Sequence, residues 1–154
     1  MNIIDIIMRN TFKTANEAYE YMHNEIITNG VEFAGTKALF NIGFTIEDPT
    51  NKVITNKERN WNEEYAAAEW AWYLSGDPRI KTLGELYGKI PAIWKRMADE
   101  NGEVNSNYGY QWKRNNQLEN VINMLKRYNE TRQAAISIYD GKSIHQYAHD
   151  TPCT

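Results

Sequence analysis

Apolar residues recur along this chain in two periods, and the switch between them predicts most of its regular structure. From about Thr14 to Thr28, Ala18, Tyr19, Met22 and Ile26 follow helical spacing. Thr14 and Glu17 form a capping-box pair at the start, and Asn29-Gly30 supplies the stop. Ala38, Phe40, Ile42, Phe44 and Ile46 then alternate with Leu39, Asn41, Gly43 and Thr45, the period of a strand with one buried face, closed by the turn Asp48-Pro49-Thr50-Asn51. A sheet packed against the first helix is the expectation.

The segment Trp61 to Ser75 is Ala-rich, carries Asn60 and Glu63 at capping spacing and stops at Gly76, so it predicts a helix. On it, Tyr65, Glu69 and Trp72 share a face, which places a single carboxylate between two aromatic rings. Pro91 opens another helix through Ala98, and Asp99 to Asn107 reads as a loop. Leu118, Val121, Ile122 and Leu125 give a third amphipathic helix ending near Asn129. Ala134, Ile136 and Ile138 alternate with Ala135, Ser137 and Tyr139 as a second strand before the turn Asp140-Gly141. Helices and strands mixed without strict alternation predict the α+β class.

Composition narrows the partners. At 154 residues and 42% hydrophobic content, one domain is the expectation. Seventeen Lys and Arg against twenty Asp and Glu give a net charge of −3, so no global basic field exists to hold a long nucleic acid. The apolar runs fall far short of the roughly 20 residues a membrane span needs, and Asp5 and Arg9 interrupt any signal-peptide reading of Met1 to Phe12. A soluble, cytoplasmic protein without a membrane partner is expected. Five Trp and ten Tyr exceed what a minimal core requires; the plain reading is core and interface area, the sharper one a wall for a heterocyclic ligand.

The single cysteine, Cys153, has no intrachain partner, which points to a reducing compartment and leaves the thiol for chemistry. A catalytic thiolate wants cations nearby, and Lys113, Arg114, Lys126, Arg127 and Arg132 against Glu119 and Glu130 make a basic stretch that suits a phosphate, or a solvated helix face. His145, His149 and Cys153 would align three zinc ligands on a continuous helix, but Pro152 breaks that helix and no further ligands complete the set, so no metal is expected. Glu69 reads either as a helix-face acid or as a carboxylate that apolar neighbours push towards carrying a proton.

Ordered motifs now add a family. Ala68-Glu69-Trp70-Ala71-Trp72-Tyr73-Leu74-Ser75-Gly76-Asp77, Ile93-Trp94, Ala98-Asp99-Glu100-Asn101-Gly102, Tyr108-Gly109-Tyr110-Gln111-Trp112, Gln117-Leu118, Thr131-Arg132 and Pro152-Cys153 resemble, in order and spacing, the thymidylate synthase family, which includes the phage deoxycytidylate and deoxyuridylate hydroxymethylases. The resemblance runs from about Trp61 to the last residue, with a weaker match over Gly35 to Gly43. It implies an α+β fold around a mixed sheet, flanked by helices, that packs sheet to sheet in a homodimer. It also implies dCMP or dUMP as substrate and 5,10-methylenetetrahydrofolate as one-carbon donor. Carried over residue by residue, Cys153 sits where the nucleophile attacks C6 of the pyrimidine, and Glu69 where a carboxylate organises proton transfer to base and folate. Tyr108 matches the active-site tyrosine, Trp94 and Ile93 match positions lining the folate and base pocket, and Arg132 matches an arginine that reaches the substrate phosphate across the dimer interface. These types suit the chemistry: C5 of a pyrimidine is a poor nucleophile until a thiolate adds to C6.

Departures from the family pattern sharpen the expectation. The phosphate loop's usual arginine is replaced by Phe33 in Glu32-Phe33-Ala34-Gly35-Thr36, and the usual pair of arginines is reduced to Arg132-Gln133. The sequence stops at Thr154, whereas family members continue, so the 154 residues are expected to be an N-terminal portion and inactive by themselves. Thr154 after the nucleophile and Asn105-Ser106-Asn107 before Tyr108 look like the hydroxymethylases rather than the synthases. Hydroxymethylation is the favoured reading, with dUMP methylation as the alternative and a truncated, non-catalytic nucleotide-binding or dimerisation remnant as the alternative of another class. Whether the coding region continues in frame discriminates the last.

Overall fold

The computed structural model describes residues 11–140 and 150–152. The readings placed on the first ten residues, on Gly141, on His145 and His149, and on Cys153 itself concern residues outside these. The chain divides after Trp61 into two compact units. Both mix short strands or extended runs with helices, and the class is α+β.

In the first unit, β1 (Thr11–Phe12) leads into α1 (Ala15–Asn29), followed by β2 (Val31–Phe33), β3 (Thr36–Ala38) and β4 (Thr45–Ile46). Helix α1 starts where expected. Thr14 Oγ1 accepts from the Glu17 N–H at 3.2 Å, and the Glu17 carboxylate accepts from the Lys13 N–H at 2.9 Å, one residue before the usual capping-box partner. Its stop differs in mechanism: Gly30 is extended rather than left-handed, and glycine is required because a Cβ there would lie 2.3 Å from the Ile26 carbonyl oxygen.

The strand expected over Ala38 to Ile46 exists only at its ends. Strand β3 pairs antiparallel with β2 across a turn whose Ala34 and Gly35 both have positive φ, and β4 pairs parallel with β1. Between them Asn41 turns left-handed (φ 56°), which breaks the extended run, and Phe40, Ile42 and Phe44 stay exposed. The Asp48 turn is present as expected, its carboxylate accepting from the Thr50 N–H and hydroxyl.

The second unit is built on helices α2 (Glu63–Ser75), α3 (Ile80–Tyr87), α4 (Ala92–Met97), α5 (Tyr108–Lys113) and α6 (Gln117–Arg127). Asn62, not Asn60, caps α2, its Oδ1 accepting from the Tyr65 N–H at 2.7 Å. Gly76 ends it in the left-handed conformation, as expected. Helices α3 and α5 were not predicted: α3 has no side-chain cap, and α5 is only six residues long. Ala68, Trp72, Leu83 and Val104 form the buried core, flanked by Tyr65, Tyr73, Ile80, Tyr87, Trp94, Met97 and Ala98. Loop 98–107 closes over it through Ile80 N–H to Gly102 O and Val104 N–H to Pro78 O.

The second expected strand, Ala134 to Tyr139, is extended coil rather than a laddered strand. Its period survives as burial: Ala134, Ile136 and Ile138 are half-buried while Ala135, Ser137 and Tyr139 are exposed. Side chains stand in for a neighbouring strand. Gln117 Oε1 accepts from Ser137 N–H at 2.8 Å, and Arg114 donates to the carbonyls of Ser137 and Ile138 at 3.0 and 2.9 Å.

Candidate active site

Glu69 lies in the middle of α2 with a tyrosine one turn to either side, Tyr65 and Tyr73. The Tyr65 hydroxyl donates to Glu69 Oε1 at 2.6 Å and accepts from the indole N–H of Trp94 on α4 at 2.7 Å. A two-bond chain thus runs from α4 through a phenol to the carboxylate. Burial first, then the bond to Glu69, pushes the Tyr65 hydroxyl well above its ordinary value. Burial and then the Glu69 charge do the same to Tyr73. Both phenols therefore hold their protons and present donors to the carboxylate.

The expectation that Trp72 shares the ring pair around Glu69 needs correction. At about 100° per residue, positions three and four further along the helix fall on opposite sides of Glu69. Trp72 falls on the core side. It is fully buried, its indole N–H donates to the Arg79 carbonyl at 3.1 Å, and its ring meets Trp94 edge-on at 5.1 Å. Tyr73 takes the place beside Glu69, a role legible in advance only from its spacing of four.

Tyr108 opens α5 and is half-buried, its ring edge-on to Tyr73 at 5.5 Å and stacked towards Trp112 at 6.5 Å. This approach depends on the next residue. A Cβ on Gly109 would lie 1.5 Å from the Tyr73 carbonyl oxygen, so only glycine lets α5 lie against the backbone of α2. Glu69, Trp94 and Tyr108 are thus brought into one cluster, joined by Tyr65 and Tyr73. Ile93, one residue before Trp94, is exposed instead (43%).

The basic stretch is partly structural. Lys113 Nζ donates to the Leu74 carbonyl in the last turn of α2, and Arg114 is taken up by the 137–138 carbonyls. Arg132 is exposed on the segment after α6, where it lines, with Tyr128, Thr131 and Gln133 among others, an open concavity of about 740 Å³. Phe33, where the resemblance leads one to expect an arginine, is exposed at the end of β2 with its ring edge-on to Phe40 at 5.3 Å.

The residues leading to Cys153 are held firmly. Asp150 and Pro152 are buried, the Asp150 carboxylate accepts from the Ser106 N–H and hydroxyl, and the Tyr139 hydroxyl donates to the Pro152 carbonyl. Nothing in spacing alone pointed to the Ser106 and Asp150 pair, which lie 44 residues apart. Among the described residues no His, Cys, Asp and Glu group has the arrangement of a metal site, and no helix is long and apolar enough to cross a membrane.

The family model of thymidylate synthase matches residues 17–154, reaching well before the motifs that begin near Trp61. Folate-dependent transfer of a one-carbon unit to C5 of a pyrimidine nucleotide is the chemistry of that family, a transferase activity of nucleotide biosynthesis, and this chain belongs to the thymidylate synthase family.

Proposed function

We propose that this chain carries the catalytic half-site of a deoxypyrimidine 5′-monophosphate hydroxymethylase, acting on dCMP or dUMP with 5,10-methylenetetrahydrofolate as donor. The observation that carries the reading is the hydrogen-bond chain Trp94 to Tyr65 to Glu69, which delivers an oriented carboxylate beside a wall of aromatic rings. The choice of hydroxymethyl over methyl transfer rests on Thr154 and on Asn105-Ser106-Asn107 before Tyr108.

In this reading the Cys153 thiolate adds to C6 of the pyrimidine; the C5=C6 pair moves towards the C4 substituent, and C5 becomes a nucleophile. After transfer, the C5 proton is lost with release of tetrahydrofolate, water adds to the transferred carbon to give the hydroxymethyl group, and expulsion of the thiolate restores the C5=C6 double bond. Glu69 accepts and returns protons on the C4 side of the base, held in place by phenols that do not ionise. Tyr108 borders the base through its contact with Tyr73. The donor, when bound, supplies the one-carbon unit at the oxidation level of formaldehyde. The residues fit such a group: Trp94 offers a flat half-buried face, exposed Ile93 an apolar edge, and Glu69 an acceptor for ring N–H groups. Arg132 takes the substrate phosphate, in a partner subunit's site if the protein is a cytoplasmic homodimer. The exposed Phe40, Ile42 and Phe44 support a second copy as the cover for that surface. The family match crosses the division after Trp61, which supports one domain made of both units.

The test uses the in-frame product of the whole coding region. Incubation with 5-fluoro-deoxyuridylate or its cytosine counterpart and the folate should add one nucleotide together with one folate to the intact mass, because fluorine at C5 blocks the proton loss that releases the folate, and Cys153→Ser should abolish the adduct. Tritium should leave C5 of the substrate without formation of dihydrofolate. A stoichiometric rise in dihydrofolate absorbance would establish methylation instead, and an adduct undiminished by Cys153→Ser would place the chemistry elsewhere.

A further inference from the structure

Three consecutive residues, Asn105, Ser106 and Asn107, bond to the end of the helix that carries Glu69, to the helix that begins with Tyr108, and to Asp150. Asn107 is fully buried. Its Nδ2 donates to the Asp77 carbonyl at 3.0 Å and, at 3.4 Å, to that of Trp72, which fixes the end of the helix bearing Glu69. Its Oδ1 accepts from the Tyr110 N–H at 2.8 Å and so caps the helix that begins with Tyr108. Asn105 accepts from Gln111 Nε2 at 2.7 Å on that same helix, and its own Nδ2 donates to the Asp150 carbonyl at 3.2 Å. Ser106 completes the set. Its N–H and hydroxyl donate to the two oxygens of Asp150 at 2.7 and 2.6 Å, and both residues are buried.

A carboxylate out of water is costly unless its lone pairs are met, and hydrogen bonds to a charged group are the strong ones. The buried Asp150 carboxylate is met by both donors of Ser106, which ties its run to that residue. Pro152 is held too, through the Tyr139 hydroxyl. Of the three residues before Cys153, Asp150 is thus anchored on the loop that also sets Tyr108 and the end of the Glu69 helix, and Pro152 on Tyr139.

We propose that Asp150 and Ser106 form a positioning clamp on the run 150–152 that leads into Cys153, an inference that rests on Cys153 being the nucleophile proposed above. Neither residue touches substrate; both act through the run 150–152. The two hydrogen bonds from Ser106 hold the run by its first residue.

Cys153 is the single cysteine of the 154 residues, and its alkylation by iodoacetamide is read on the peptide that carries it. Asp150→Ala should raise the native-state alkylation rate about tenfold, Ser106→Ala, which keeps the backbone donor, by less, and the double variant no further than Asp150→Ala, because the two residues act as one pair. The rise should be independent of low urea, the sign of local release rather than global unfolding. Ser106→Thr keeps the hydroxyl and should restore the wild-type rate. In turnover, kcat should fall by about tenfold with KM for the nucleotide unchanged, a split that a loss of binding would not give. Additive single effects, a rise that follows global unfolding, or wild-type alkylation in folded variants would overturn the clamp. If the variants release Cys153 as expected but the wild type forms no nucleotide adduct, the clamp stands and the proposed function fails.

Discussion

Helix α2 and the segment 38–46 both carry a regular apolar pattern, yet they end in opposite environments. On α2, Ala68 and Trp72 are buried against Leu83 and Val104. Along 38–46, Phe40, Ile42 and Phe44 are 55%, 40% and 49% exposed. Both patterns name an apolar face, but only α2 finds its cover among the segments that follow it in sequence, α3, α4 and the 98–107 loop. Periodicity reports which side of an element is apolar; it does not report what that side packs against.

The largest break in this comparison is Trp72→Ala. Removing a fully buried indole should destabilise the second unit by about 3–5 kcal/mol, whereas Phe40→Ser should stay within about 0.5 kcal/mol in the monomeric protein. Urea unfolding followed by tryptophan fluorescence measures both. Equal effects would mean that Phe40 is packed as tightly as Trp72.

Gly109→Ala comes next. A Cβ at 1.5 Å from the Tyr73 carbonyl forces α5 away from α2, at a cost of about 1–3 kcal/mol, and should move Tyr108 from its edge contact. A loss of Tyr108 protection in hydrogen exchange of α5, with α3 unaffected, is the expected signature. An alanine variant as stable as wild type would show that the helices are not in backbone contact.

The smallest effect is electrostatic. Asp77, after the end of α2, accepts from Arg79 and Thr82, and the Arg79 hydrogen bond foremost holds its carboxyl well below the ordinary carboxylate value. A lowered native value gives stability that is fully present above about pH 4, the unfolded value, and is lost as pH falls below it. Asp77→Asn should therefore flatten the acid side of the stability profile by lowering stability at neutral pH, modestly because the ion pair is partly exposed, with the two proteins converging as pH falls. An acid limb identical in the two proteins would remove Asp77 from the account.

Much was legible without coordinates, because it is written in local chemistry. The cap at Thr14, the left-handed stop at Gly76, the helix through Leu118 and Leu125 and the proline opening of α4 each depend on residues within one turn of one another. The motifs carrying Glu69, Trp94, Tyr108 and Arg132 likewise placed the chain in its family before any contact was seen. Other features needed distance. Helix α5 has six residues and persists by lying on α2, and the 134–139 run is extended because Arg114 and Gln117 reach across to its backbone. Tyr65 becomes a relay only because α4 brings Trp94 to it, and Ser106 finds Asp150 only through the fold. Propensity, capping and period act over a few residues and are properties of the sequence alone. Which polar groups share a buried site is decided by the cost of leaving any of them unpaired, and that cost exists only once the chain has folded around them.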